Sequence, residues 1–231
     1  MKVFHRILGI IMSVTMIIIL LITSFEIGIY SDFDWYEKEY KKYGVLDDLE
    51  MKMEDVMEVT HEMMAYLRGN RDNLEVDTIV DGEEREFFNE REKAHMVDVQ
   101  KLFLGGLNVR RGSVMILITA LIVLLFVKGE WKKILPQSVL IGAGIFIGLV
   151  TILGALVATD FNQYFMIFHE IFFNNDLWLL DPKTDLMIRM LPEGFFFDMV
   201  IRIGLCFIVS LITLLGISII ILKKQRNKEN L

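Results

Sequence analysis

Cysteine is nearly absent from this chain: Cys206 is the only one among 231 residues, so no internal disulfide can form. It lies inside an apolar run and reads as a small packing residue. Exposed nucleophiles are equally scarce. Between the apolar runs, the two longer connecting segments offer Ser31 and a few threonines such as Thr60, Thr78 and Thr184, none of them in a Gly-x-Ser-x-Gly elbow. A serine or cysteine acyl-enzyme is therefore not expected. There is no glycine-rich phosphate loop, and the remaining connections are too short for a nucleotide site. No nucleic-acid partner is expected either. Repeats and low-complexity tracts are missing. The pairs His61-Glu62 and His169-Glu170 each begin like H-E-x-x-H, but the fourth residues after the histidines are Ala65 and Phe173, so the second metal ligand is lacking in both.

What the chain has in excess is apolar surface. Hydrophobic residues make up 54% and charged residues 24%, with a mean hydropathy of +0.47, a pairing that requires the two kinds to be segregated. Four stretches, about 7–30, 113–127, 137–158 and 199–222, carry almost no charge and are of the length a bilayer helix needs. The expectation is an all-α integral membrane protein with four transmembrane helices and a single membrane domain. The first stretch is long and its exit has no A-x-A site, so it is expected to stay as an uncleaved anchor.

The formal charge of −7 divides unevenly. Residues 1–6, 128–136 and 223–231 hold nine Lys/Arg against Glu130 and Glu229. Residues 31–112 hold 21 Asp/Glu against 12 Lys/Arg, and 159–198 hold seven against Lys183 and Arg189. By the positive-inside rule both termini and the 128–136 loop are cytoplasmic, and 31–112 and 159–198 lie outside the plasma membrane. Arg110 and Arg111, just before the second stretch, go against that rule.

The first outer segment is long enough to fold into a cap. Leu46, Leu49, Met53, Val56, Thr60, Met63 and Leu67 recur at helical spacing, closed by Arg68-Gly69-Asn70 as a C-cap. Asp81-Gly82 between short apolar runs signals a hairpin. Asn89 with Glu92 three residues on resembles a helix start, with His95, Val99 and Leu102 on one face until Gly105-Gly106. The second segment is aromatic: Phe165 to Phe173 has helical length, followed by a turn at Asn174-Asn175-Asp176. It is too short to span and too apolar for open water, so it lies on the membrane surface or under the cap.

Three histidines lie in these outer segments. His61 sits on a charged helix and reads as a surface residue. His95 has Asp98 at i+3, a carboxylate able to fix its tautomer. His169 stands in an almost wholly apolar aromatic run, where an ionisable ring is costly without a purpose. Phe172, Phe173, Trp178 and Phe195 to Phe197 read equally as an interfacial belt or as the wall of a lipid pocket beside His169. Glu26 and Arg202, near the outer ends of the first and fourth spans, can pair or snorkel.

The run FHEIFFNNDLWLLDPKTDLMIRMLPEGFFFD around His169, with EKAHMVDVQKLF around His95, resembles the lipoprotein intramolecular transacylases of Gram-positive bacteria, and the resemblance extends to the whole layout. It implies an enzyme that moves the sn-2 acyl chain of a diacylglyceryl lipoprotein to the α-amino group of the N-terminal cysteine, giving the lyso form. His95 and His169 correspond to the family's catalytic histidines, one as base and one as acid in either order, with Asp98 orienting. Phe172, Phe173, Trp178, Arg189, Phe195 and Phe196 would hold headgroup and acyl chains. The partners implied are the diacylglyceryl lipoprotein and membrane lipid, with neither cofactor nor metal, and nothing in the sequence states the oligomeric state. A non-enzymatic membrane adaptor or sensor, and a metal-dependent membrane hydrolase, are the competing readings.

Overall fold

The structure, a computed structural model, describes residues 2–229; Met1, Asn230 and Leu231, the tips of the two terminal segments expected in the cytoplasm, lie outside the described residues. In chain order the elements are α1 (Lys2–Tyr30), α2 (Asp34–Lys42), α3 (Val45–Leu49), α4 (Met53–Leu67), β1 (Asp77–Val80), β2 (Glu83–Glu86), α5 (Glu90–Phe126), α6 (Trp131–Thr159), α7 (Phe161–Phe172), α8 (Leu186–Met190) and α9 (Glu193–Glu229). Among the described residues α1, α5, α6 and α9 are long and apolar enough to cross a membrane. The fold is that of an all-α, multi-pass membrane protein carrying one short hairpin.

Contacts divide the chain into two compact units, one of Met1–Ile29, Leu107–Thr159 and Arg202–Leu231, the other of Tyr30–Gly106 and Asp160–Ile201. The first, the span unit, is packed through small residues. A Cβ on Gly9 would collide with Ser138 Oγ, and one on Gly142 would collide with Ser13 Oγ. The i, i+4 pairs Gly9/Ser13 and Ser138/Gly142 thus bring α1 and α6 into backbone-close approach, the packing suited to lipid, where apolar burial gives helices no reason to associate. Leu8 and Met12 bury against Ala120 and Leu124, and Ile17 packs with Ala143, Phe207 and Leu211. Arg110 is ion-paired with Glu26 inside this unit, so one of the two arginines that go against the positive-inside rule is paired with an acid on α1.

The second, the loop unit, has a core of large side chains. Tyr36 and Tyr40 of α2 are fully buried and face Phe195, with Tyr40 stacked on it at 5.9 Å between centroids. The Tyr40 hydroxyl lies 2.7 Å from Thr60 Oγ1, which itself donates to the Val56 carbonyl. The expected C-cap forms at the end of α4: Gly69 takes φ +77, with Asn70 N–H on Ala65 O and Gly69 N–H on Tyr66 O, a Schellman arrangement. The hairpin forms as well, with Asp81 and Gly82 both at positive φ, as its two-residue turn requires.

Two expectations about helix continuity are corrected. The periodic stretch from Leu46 to Leu67 is two helices, because Glu50 adopts φ +47 and turns the chain between α3 and α4. Gly105-Gly106 does not end a helix: α5 runs unbroken through both. Helix interiors tolerate glycine at about 1 kcal/mol each, and the apolar run beyond Leu107 more than compensates.

Candidate active site

The loop unit positions both histidines singled out in the sequence. His95 stands one turn into α5, whose start is a reciprocal capping box: Asn89 N–H donates to Glu92 Oε2 at 2.8 Å, and Glu92 N–H donates to Asn89 Oδ1 at 3.0 Å. The other oxygen, Glu92 Oε1, accepts the Met187 N–H at 2.6 Å from the first turn of α8. Glu92 is fully buried, which pushes its carboxyl above the usual range against the pull of these backbone donors. Beside it, buried Asp185 accepts from Asp181 N–H at 2.7 Å, Asn89 Nδ2 at 2.8 Å and the Thr184 hydroxyl at 2.9 Å. Burial raises the Asp185 carboxyl, but these donors outweigh it and leave it below the ordinary value. The start of α5 is therefore clamped to the segment that follows Trp178.

His169 lies near the end of α7, and its Nδ1 is 2.7 Å from the Phe165 carbonyl one turn earlier. A carbonyl only accepts, so Nδ1 carries the hydrogen and the lone pair of the neutral ring is on Nε2. Trp178 stacks on this ring at 4.9 Å and 27°, Phe165 lies at 4.3 Å and Phe173 at 5.5 Å. The Trp178 indole N–H donates to the Asn175 carbonyl at 2.9 Å, which holds the stacking ring in place.

The two imidazoles are brought together, 6.1 Å between centroids, with Phe173 edge-on to His95 at 5.3 Å. Both are buried, with His95 6% and His169 8% exposed. Burial, and then the neighbouring His169, lower the His95 pKa to about 4, with Asp98 opposing. Burial lowers that of His169 too, against its bond to Phe165. In both cases the surroundings favour the uncharged ring. His95 Nδ1 is buried and makes no hydrogen bond among the described residues.

Asp98 is near but does not do what its spacing suggests. Its oxygens accept from Asn175 Nδ2 at 2.9 Å and from Lys101 Nζ at 3.1 Å, bonds that keep the carboxyl below its usual range, and no hydrogen bond joins it to His95. Its influence on the ring is through charge. An open recess of about 260 Å³ adjoins it, lined by Asp98, Lys101, Leu102, Phe172, Phe173 and Asn174.

The other expected residues divide. Phe172, half exposed, lines this recess, and Phe196 reaches the site through Phe165 at 5.1 Å. Phe195 belongs instead to the Tyr36–Tyr40 core, and the Arg189 guanidinium is held by the carboxylate and carbonyl of Asp48. His61 packs on Phe33 at 4.3 Å. Phe165, Asn175 and Asp185 were not singled out in the sequence; the signal for Phe165 was its place one turn before His169. Among the described residues no three His, Cys, Asp or Glu side chains gather as a metal site. The arrangement suits proton transfer: two neutral bases, one with a fixed lone pair, in aromatic walls that exclude water.

The family model described as lipoprotein intramolecular transacylase Lit matches residues 10–196. Among solved structures, the in meso structure of the membrane integral lipoprotein intramolecular transacylase Lit from Bacillus cereus is similar, at 23% identity and a TM-score of 0.79, over 98% of this chain and 99% of that one. Variants of the same protein with a histidine replaced by arginine or by alanine match at 23% identity and a TM-score of 0.77, over 97% and 96% of this chain and 94% and 95% of theirs. At that identity the structural likeness speaks for the fold. No curated relative matches by sequence. The family match extends over most of the chain, and the chain belongs to the lipoprotein intramolecular transacylases, membrane-integral acyltransferases that act on lipoproteins.

Proposed function

We propose that this protein moves the sn-2 acyl chain of a diacylglyceryl lipoprotein to the α-amino group of its N-terminal cysteine, with His169 as base and His95 as acid. The observation that carries the assignment is the bond from His169 Nδ1 to the Phe165 carbonyl, which leaves Nε2 as a lone pair in the neutral ring. An α-amino group with a pKa of roughly 7.7–8.0 is partly protonated at neutral pH and must lose protons to become an amide. Nε2 of His169 takes a proton as the amine nitrogen attacks the sn-2 ester carbonyl. The tetrahedral intermediate collapses with cleavage of the bond from acyl carbon to glyceryl oxygen. That oxygen leaves as a hydroxyl, its proton supplied through His95. The net change is one ester lost, one amide gained, and one proton released when the amine starts as ammonium.

Donor and acceptor belong to one molecule, which makes an enzyme nucleophile unnecessary. Holding them together can supply roughly 7–11 kcal/mol through effective molarity, and base catalysis adds about 10²- to 10⁴-fold. The uneven charge of the chain supports a site on the outer face of the plasma membrane, with both termini inside, and membrane lipid as the substrate's surroundings. The test is mass spectrometry of a diacylated reporter lipopeptide incubated with the purified protein. His169→Ala and His95→Ala are each expected to lower the rate of lyso-form production by about 10²- to 10⁴-fold; wild-type rates from either variant would remove that histidine from the mechanism.

A further inference from the structure

Asp98 is a partly exposed carboxylate for which orientation of His95 gives no account, since its hydrogen bonds go to Asn175 and Lys101. It also lines the recess beside the histidine pair, together with Phe172, Phe173 and Leu102. We propose that Asp98 is the subsite for the substrate's α-ammonium group, holding the N-terminal cysteine nitrogen beside the histidines before it is deprotonated. This rests on the transacylase reading above and names the residue that recognises its acceptor end.

Three observations point the same way. The first is that an ammonium already sits there: Lys101 Nζ is 3.1 Å from Asp98 Oδ1, and Lys101 is a mostly exposed side chain one turn along α5. An exposed i, i+3 pair of this kind holds weakly, so an incoming ammonium delivered with a lipid anchor competes with it readily. The second is that the rings next to the recess are neutral, with His95 pressed down to about 4, and so do not repel a cation. The third is the shape of the recess. Its volume of about 260 Å³ suits a headgroup-sized end and not a pair of acyl chains, and its lining combines the Asp98 carboxylate, the Lys101 ammonium that it pairs with and the Asn174 amide with the phenyl rings of Phe172 and Phe173. A carboxylate that fixes the ammonium also selects for substrates whose amine is still free, since an amide nitrogen carries no charge to pair with it.

The test uses the full-length protein in lipid nanodiscs and a dialkylglyceryl lipopeptide, whose ether-linked chains cannot be transferred, in two forms: free α-amine and N-acetylated. Wild-type protein is expected to bind the free amine about ten- to a hundredfold tighter than the acetylated form. Asp98→Asn is expected to bring that ratio close to one by weakening only the free-amine form. Unchanged binding of the acetylated form reports that the variant is folded. Lys101→Met, which removes the competing ammonium, is expected to tighten free-amine binding. No preference in wild type, a preserved preference in Asp98→Asn, or weaker free-amine binding in Lys101→Met would each overturn the subsite. Because binding is read without turnover, failure here is distinct from failure of the histidine mechanism, which is read by acyl transfer to an ester-linked substrate.

Discussion

The span unit and the loop unit are held by opposite means. In the span unit, α1 and α6 approach over Gly9, Ser13, Ser138 and Gly142, while large side chains such as Ile141, Ile145 and Ile212 are more than 60% exposed. In the loop unit the large side chains Tyr36, Tyr40, Phe87, Phe88 and Met63 are the buried ones, and polar groups are tied by hydrogen bonds. Each pattern suits its solvent. Lipid gives no gain for burying an isoleucine, so close backbone approach must provide cohesion. Facing water, burying a large aromatic is the strongest stabilising contribution, and each buried polar group must find a partner.

The contrast can be broken most severely at the small residues. Gly142→Val would drive a side chain into Ser13, and overpacking of this kind costs about 1–3 kcal/mol or more. Gly148→Val, which meets nothing within 4 Å, is expected within about 0.5 kcal/mol of wild type. Thermal unfolding in detergent compares the two, and equal losses would refute small-residue packing. In the loop unit the largest loss is expected at Glu92. Glu92→Gln keeps the volume but places an amide N–H₂ against one of two backbone N–H donors, at about 1–3 kcal/mol. Faster hydrogen exchange at the Asn89 and Met187 amides would report it. Tyr40→Phe comes next, at about 0.5–1.5 kcal/mol, because Thr60 still donates to Val56 and loses only its incoming bond.

A pH series sharpens the comparison, because the buried histidine pair belongs to the loop unit. The folded pKa values lie below the unfolded value of about 6.5, so between that value and about 4 the unfolded chain binds more protons. The contribution of the neutral pair to stability is complete above about 6.5 and is lost as pH falls towards 4. Melting temperature is expected to fall over that interval, and His95→Phe to flatten the fall. The acid limb of kcat/KM is expected below the midpoint of an ordinary histidine, since the base stays neutral further into acid.

Local chemistry made much of this fold readable from sequence. Asp81-Gly82, Asn89 with Glu92, and Gly69 after Leu67 each satisfy a backbone requirement within a few residues, and each forms as the spacing predicts. Apolar length alone disclosed the four long helices. What escaped was set by distance or by competition. Arg189 meets Asp48, 141 residues away, and Phe195 turns to Tyr36 and Tyr40 where its neighbour Phe196 turns to Phe165; no local pattern tells the two faces apart. The split at Glu50 depends on a left-handed conformation its side chain does not advertise. Asp98 was the subtlest case: its i+3 spacing from His95 is real, but Asn175 and Lys101 are the stronger claimants for its oxygens.

The bond that fixes the His169 tautomer runs to a main-chain oxygen, and this places it beyond the reach of ordinary mutation. A histidine oriented by an aspartate can be disarmed by changing one codon in its partner. Here any residue at position 165 supplies the same carbonyl so long as α7 stays helical. Drift at that position can reshape the aromatic wall beside His169 without touching the tautomer of its ring. The shape of the wall and the protonation pattern of the ring can in this way change independently, one through the side chain and the other through the main chain of a single residue.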